Sequence, residues 1–178
     1  EVMVRGTFGN IRIRNEMVPG TEGGFTKLYP EGKVVSIYEA AMEYKKRGNE
    51  LVVIAGKDYG AGSSRDWAAK GTKLLGVKAV IAESFERIHR SNLIGMGILP
   101  LQFKDGINST KLNLKGSELI TIIGIEKGIT PGQEVECEIK NADGVAKKIN
   151  LLSRIDTANE VEYYKNDGIL KYVLRSML

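Results

Sequence analysis

Cysteine is almost absent from this sequence of 178 residues, in which Cys137 is the only example. One cysteine cannot build a disulfide framework or a CxxC metal site, and a reducing cytosol suits such a sequence best. The single cysteine therefore favours a cytoplasmic location. The sequence also lacks a run of about 18 apolar residues, so we expect no membrane span. Residues 1–4 (EVMV) carry neither a basic leader nor an apolar signal region. Because position 1 is not methionine, we interpret the chain as a segment of a longer protein.

A strong excess of charge of either sign is lacking as well, since the net charge is +4. The basic residues are evenly spread, which permits contact with anions but does not by itself indicate a nucleic-acid partner. The content of 42% hydrophobic, 27% charged and 7% aromatic residues is typical of a globular protein and excludes the disordered and fibrous classes. The length suits one domain with its own core.

The middle of the chain predicts a parallel α/β core. Apolar runs over residues 51–55, 79–82 and 98–101 are typical of strands buried on both faces. Helices are expected between them, from about Ser64 to Leu75 and from Phe85 to about Ile94. This strand–helix–strand order favours parallel strands joined by right-handed crossovers.

The two ends of the chain have a different pattern. Residues 2–15 alternate loosely between apolar and polar side chains and predict one or more strands with a glycine bend. Strands near residues 119–123, 134–140 and 146–152, with a hairpin at 141–144, predict an antiparallel section, followed by two helices. The predicted fold class is therefore α/β: a parallel β core, flanking helices and a smaller antiparallel section.

The clearest chemical signal lies in residues 60–69 (GAGSSRDWAA), between a predicted buried strand and a predicted helix. Ligands bind at such junctions in open α/β sheets. Glycines let backbone N–H groups approach an anion, and a helix N-terminus adds unpaired donors and about half a positive charge. Ser63 and Ser64 add hydroxyls, and Arg65 can hold a carboxylate or phosphate by two hydrogen bonds. The segment therefore predicts an oxyanion site.

Two interpretations of this segment are disfavoured by its details. Gly60-x-Gly62 fits a dinucleotide fingerprint in part, and Glu83 ends the next strand, but Arg65 stands where that fingerprint needs glycine. A hydrolase nucleophile would need glycine two residues after the serine, and His89, the only histidine, would have to supply the base.

A third interpretation makes Ser63 a base. A serine hydroxyl ionises only where several donors and positive charges are focused on it, and glycine amides, a helix N-terminus and Arg65 would provide that environment. An alkoxide of this kind suits removal of a proton from a carbon next to a carboxylate. The purely structural alternative is that Ser63, Ser64 and Arg65 only cap a helix.

Two long motifs resemble the C-terminal swivelling domain of the aconitase superfamily: residues 58–71 (DYGAGSSRDWAAKG) and residues 82–101 (AESFERIHRSNLIGMGILPL). Residues 5–8 (RGTF) and 168–175 (GILKYVLR) extend the resemblance across nearly the whole chain. The sequence of residues 65–67 (RDW) is similar to that of one branch of the superfamily, which contains bacterial aconitase A and the cytosolic aconitase/iron-responsive-element-binding proteins.

The resemblance implies that residues 1–178 are the swivelling β/β/α domain of a larger hydro-lyase, an aconitate hydratase that interconverts citrate and isocitrate through cis-aconitate. Ser63 would be the alkoxide base, and Ser64 and Arg65 would bind a substrate carboxylate. In the family a four-iron four-sulfur cluster binds the leaving hydroxyl, and its three cysteines lie in other domains; Cys137 does not match them. Its partners would be those upstream domains of the same polypeptide, and the isolated chain is expected to be inactive.

Two alternative functions stay open beside this one. A 2-methylcitrate dehydratase-type relative would share the serine–arginine loop, and an RNA-binding module remains an alternative that the charge does not support. We expect Tyr59 and Trp67 to be packing residues rather than stacking platforms, and His89 to be packed rather than a metal ligand. The sequence leaves open the roles of four basic residues: Arg5, Arg87, His89 and Arg90.

Overall fold

The structure is a computed structural model that describes residues 2–62 and 66–178. Over these residues the strands are β1 Phe25–Leu28, β2 Lys33–Ser36, β3 Leu51–Ala55, β4 Val77–Ala82, β5 Leu99–Phe103, β6 Leu119–Ile123, β7 Glu134–Lys140 and β8 Ala146–Ser153. The helices are α1 Val2–Gly6, α2 Ile37–Lys46, α3 Asp66–Leu74, α4 Arg87–Gly95, α5 Ser109–Leu112, α6 Ala158–Lys165 and α7 Ile169–Ser176. In this part of the chain no helix has the length and apolar character needed to cross a membrane.

Six strands form one mixed sheet in the order β3-β4-β5-β8-β7-β6. The pairs β3–β4 and β4–β5 are parallel, whereas β5–β8, β8–β7 and β7–β6 are antiparallel. The predicted parallel core, flanking helices and antiparallel section are confirmed. The structure adds that the antiparallel strands continue the parallel ones within a single sheet. The strands β1 and β2 form a separate antiparallel pair.

The core lies on both faces of this sheet, because successive side chains of a strand point to opposite faces. Ile81 of β4 packs with Leu101 of β5 and Leu151 of β8 in the larger cluster. Its neighbour Val80 belongs to the second cluster, with Ala69 of α3. The helices α3 and α4 therefore cover the face of the parallel strands beside which the loop after β3 lies.

The N-terminal strand prediction is wrong, since Val2–Gly6 is helix α1 and turns follow it. The Thr7 hydroxyl donates to the Met3 carbonyl at 2.9 Å and closes the end of the helix. Thr7 also packs against Gly71 of α3 so closely that a Cβ on Gly71 would lie 1.9 Å from Thr7 Oγ1. Packing against α3 thus outweighs the strand preference of this short segment.

The expectation that β3 is buried on both faces is also wrong. All five residues of β3 are half-buried. The reason is its place at the edge of the sheet, where it pairs with β4 alone. An apolar run indicates a strand but does not say whether the strand is central.

Candidate functional site

The loop that follows β3 is fixed to the segment that follows β4. Ala55 pairs with Ala82 at the carboxyl ends of these parallel strands. Beyond them, the Tyr59 amide donates to the Ser84 carbonyl at 3.0 Å, and the Tyr59 carbonyl accepts from the Glu86 amide at 2.9 Å. These bonds form an isolated parallel bridge that extends the pairing past the end of the sheet.

A polar contact between Asp58 and Ser84 also fixes the loop that follows β3. The Asp58 amide donates to Ser84 Oγ at 2.7 Å, and the Ser84 hydroxyl lies 3.2 Å from Asp58 Oδ1. Asp58 has φ of 53°, in the left-handed region that aspartate tolerates better than most residues. The loop therefore reaches the glycine turn, residues 60–62, in a defined conformation.

Both glycines of the turn have left-handed backbone angles, with φ of 96° at Gly60 and 73° at Gly62. A Cβ on Gly60 would lie 2.3 Å from Cβ and Cγ of His89, whereas a Cβ on Gly62 would have no atom of the described residues within 4 Å. Gly60 is thus required by both its φ and its packing, and Gly62 by its φ alone. Ala61 and Gly62 are exposed, so the outer side of the turn is open to a ligand.

The three predicted site residues, Ser63, Ser64 and Arg65, lie outside the described residues, and their roles stay predictions. The described chain ends before them at Gly62 and resumes after them at Asp66, the first residue of α3. The segment therefore joins the glycine turn to a helix at the carboxyl end of the parallel strands. Anions and cofactors bind at this kind of junction.

His89 of α4 lies beneath the glycine turn and is 2% exposed. Its backbone amide donates to the Glu86 carboxylate at 2.8 Å, as part of the cap of α4. Burial lowers the pKa of His89, and the nearby Glu86 charge opposes this only in part. In the described part of the chain, Nδ1 of His89 is buried and has no hydrogen-bond partner. No local sequence pattern indicates the Gly60–His89 contact, because the two residues are far apart in the chain.

The two aromatic residues of the motif differ in their surroundings. Tyr59 packs edge-on against His89, with 5.2 Å between ring centroids. Burial raises the pKa of Tyr59 to about 12, against the effect of a hydrogen bond with Thr72. Trp67 is 61% exposed, so the prediction of a packing role is wrong for it within the described residues. It borders a hollow of about 220 Å³, which it shares with α1.

Arg90 is one of the four basic residues whose roles the sequence leaves open, and its side chain points into the protein. Its guanidinium binds the Glu160 carboxylate through two hydrogen bonds, of 2.8 and 3.1 Å, and donates to the Arg154 carbonyl at 2.6 Å. Arg87 is exposed, and the guanidinium of Arg5 lies 4.0 Å from the centre of the Tyr38 ring. Arg90 therefore joins α4 to α6 rather than lining the glycine turn.

The described residues do not fit an iron–sulfur cluster. Cys137 lies on β7 with 0% exposure, and burial raises its pKa to about 11. A cluster ligand must be a thiolate that can reach the iron, which this side chain is not. The described residues also contain no group of three histidine, cysteine or acidic side chains that could hold a metal ion.

A family model decides where this chain belongs. Residues 1–106 match the model described as the aconitase C-terminal domain. The chain belongs to this family. The match includes β3, β4, the glycine turn and His89, which are the elements that build the candidate site.

Known aconitase proteins match over the whole chain. An aconitate hydratase A of Legionella pneumophila is 66% identical over 99% of this chain and 20% of its own length. An aconitate hydratase A of Escherichia coli K12 is 61% identical over 100% of this chain and 20% of its own length. This aconitase C-terminal domain thus spans about one fifth of the curated relatives that it matches. A solved structure of 3-isopropylmalate dehydratase from Methanocaldococcus jannaschii is 25% identical over 80% of each chain, with a TM-score of 0.49.

Proposed function

We propose that this chain is the swivelling domain of an aconitate hydratase and supplies the base that removes a proton from the substrate. The observation that carries the proposal is the glycine turn, which lies at the carboxyl end of β3 and leads through residues 63–65 into helix α3. The identity to aconitate hydratases A over nearly the whole chain supports the same reaction.

In this proposal Arg65 and Ser64 hold a carboxylate of citrate or isocitrate. Arg65 is suited to this because a guanidinium binds both carboxylate oxygens in one plane. Backbone N–H groups of the turn and the N-terminus of α3 add positive potential, which lowers the cost of a negative charge on Ser63 Oγ.

The chemical step begins at the carbon next to the bound carboxylate. Ser63 Oγ takes the proton, the electron pair of the broken C–H bond becomes the double bond of cis-aconitate, and the hydroxyl leaves the adjacent carbon with its bonding electrons. Hydration reverses these events and returns the proton from Ser63. The four-iron four-sulfur cluster of the family would be held outside this chain, since Cys137 does not fit it.

The remaining domains of the enzyme would lie in the rest of a longer polypeptide in the cytoplasm. Residues 1–178 would then act as one domain that closes over the substrate against those domains. Closure would exclude water and strengthen the interaction between Arg65 and the carboxylate. A 2-methylcitrate substrate is a second candidate, because the groups that discriminate substrates would lie in the other domains.

The experiment measures citrate-to-isocitrate conversion in the full-length enzyme with Ser63→Ala and Arg65→Lys. We expect Ser63→Ala to lower kcat by on the order of 10²–10⁴-fold with little change in KM, because it removes the base alone. Arg65→Lys should raise KM as well, because lysine cannot form the planar pair of bonds.

The matched control is Ser176→Ala, which removes an exposed hydroxyl at the end of α7 that donates to the Val173 carbonyl. It should leave kcat and KM unchanged. Near-normal turnover of the Ser63→Ala enzyme would exclude the base assignment. Faster turnover of 2-methylcitrate than of citrate would show that 2-methylcitrate, and not citrate, is the substrate.

A further inference from the structure

We propose that Nδ1 of His89 is a positioning atom for the reaction: in the substrate-loaded enzyme it forms a hydrogen bond with a backbone group of the glycine turn, residues 60–62. This inference rests on the proposed function, since it concerns the turn that leads to Ser63. It assigns His89 a role in orientation and no contact with substrate.

The first support is the contact between the ring and the turn. Gly60 packs on His89 so closely that a Cβ there would lie 2.3–2.4 Å from three atoms of the histidine, Cβ, Cγ and Cδ2. The turn therefore packs against the Cδ2 edge of the imidazole, and a half-turn of the ring about its Cβ–Cγ bond, which exchanges Cδ2 and Nδ1, would bring Nδ1 to the turn. The backbone of His89 is held by the cap of α4, and its ring lies edge-on against Tyr59.

The second support is the buried nitrogen without a partner. A polar atom removed from water without a hydrogen bond loses its hydration and gains nothing in return, so such atoms are rare in folded proteins. Nδ1 of His89 is in this state within residues 2–62 and 66–178, in a side chain that is 2% exposed. Phenylalanine or leucine would fill the same space without that cost, so packing alone does not account for a histidine here.

The charge state of the ring suits this role. Burial lowers the pKa of His89 and keeps the imidazole neutral, with one nitrogen as donor and the other as acceptor. The groups that face it are the Glu86 carboxylate at the cap of α4 and the Tyr59 ring. A neutral imidazole can bond either an amide N–H or a carbonyl of the turn without adding charge beside the proposed alkoxide.

A bond formed only in the loaded state would favour the productive position of the turn. In the free enzyme, Nδ1 of His89 is buried without a hydrogen bond, which raises the free energy of that state. In the substrate-loaded enzyme, the new hydrogen bond removes this penalty. Such an interaction raises kcat more than it lowers KM, because it is not made in the free enzyme and helps to orient the base.

The test compares two variants of the full-length enzyme that separate the ring from its nitrogen. His89→Phe keeps a ring against Gly60 but removes both nitrogens, and we expect kcat to fall about tenfold with KM changed less than about twofold. His89→Asn loses the ring but places an amide near the position of Nδ1. It should recover part of the kcat lost by His89→Phe even if its melting temperature is lower.

Wild-type kcat in the His89→Phe enzyme would overturn the proposal, and so would an His89→Asn enzyme with kcat no higher than that of His89→Phe. Melting temperature and circular dichroism of both variants show whether a loss of kcat reflects unfolding. The Ser63→Ala enzyme, assayed in parallel, keeps the two proposals apart. If it retains turnover, the proposed function fails. If it is inactive while His89→Phe is normal, only the role of His89 fails.

Discussion

At the scale of single residues, the glycine turn combines two constraints that a sequence motif cannot separate. Gly60 and Gly62 both have left-handed backbone angles, but within the part of the chain that the structure describes only Gly60 lies against another side chain. The motif GAG therefore contains one glycine that is needed for conformation and close packing, and one that is needed for conformation alone.

Alanine substitutions at these glycines should have unequal effects. Gly62→Ala adds only backbone strain of about 1–2 kcal/mol, because φ at Gly62 is 73° and its Cβ would meet no atom of residues 2–62 and 66–178 within 4 Å. Gly60→Ala adds the same strain and also a clash with His89, which costs a further amount of about 1–3 kcal/mol, as in other overpacked sites. Urea unfolding of the purified chain measures both. Equal losses of stability in the two variants would contradict the close contact seen between Gly60 and His89.

At the scale of the elements, a buried ion pair joins two parts of the chain that are distant in sequence. The side chains of Arg90 and Glu160 are 11% and 13% exposed, and they connect α4 with α6. Burial raises the pKa of Glu160, but hydrogen bonds from Arg90 and from the Asp156 amide outweigh this, so its pKa lies below the usual range. Glu160 therefore stays charged at neutral pH and needs its partner.

Removal of one partner should be costly. Arg90→Met leaves the Glu160 carboxylate poorly solvated, and we expect a loss of about 3–5 kcal/mol in the free energy of unfolding. The double variant Arg90→Met, Glu160→Met should recover most of it, because two apolar side chains leave no buried charge. Lys148→Met is the control, since Lys148 and Glu136 form an exposed pair worth about 0–1 kcal/mol. The idea fails if Arg90→Met and Lys148→Met cost the same.

The positions of the strands and helices show which parts of this fold a sequence can predict. Apolar runs and turn residues are local signals, so the strands β3, β4 and β5 and the hairpin at residues 141–144 were expected near their observed positions. The position of β3 at the edge of the sheet depends on strand order, and helix α1 depends on the contact of Thr7 with Gly71. Neither is encoded in a local pattern.

The candidate site also combines features that local sequence predicts with contacts between residues that are distant in the chain. The glycine turn could be predicted, because glycines between a strand and a helix are a local signal. The contacts of His89 with Gly60 and of Arg90 with Glu160 link distant parts of the chain, and the spacing of these residues gave no sign of them. The sequence therefore located the turn but not the residues that support it.

At the scale of the whole molecule, the chain has its own hydrophobic core but spans only 20% of the length of the aconitate hydratases that it matches. Its sheet is packed on both faces, which is what a domain needs to fold by itself. The proposed oxyanion site, in contrast, is open on its outer side, where Ala61 and Gly62 are exposed. Folding and activity should therefore separate in the isolated chain.

The isolated chain should bind citrate weakly and convert none of it. An exposed anion site is screened by salt and gains little from a single arginine, so binding should weaken as ionic strength rises. Trp67, the only tryptophan, follows the predicted site closely and is 61% exposed, so its fluorescence can report citrate in a titration. The Arg65→Lys chain is the control and should respond less. Measurable isocitrate formation by the isolated wild-type chain would show that the other domains are not required. We expect none, because in the proposed function the groups for the leaving hydroxyl lie in those domains. The isolated chain would then hold the substrate without completing its dehydration.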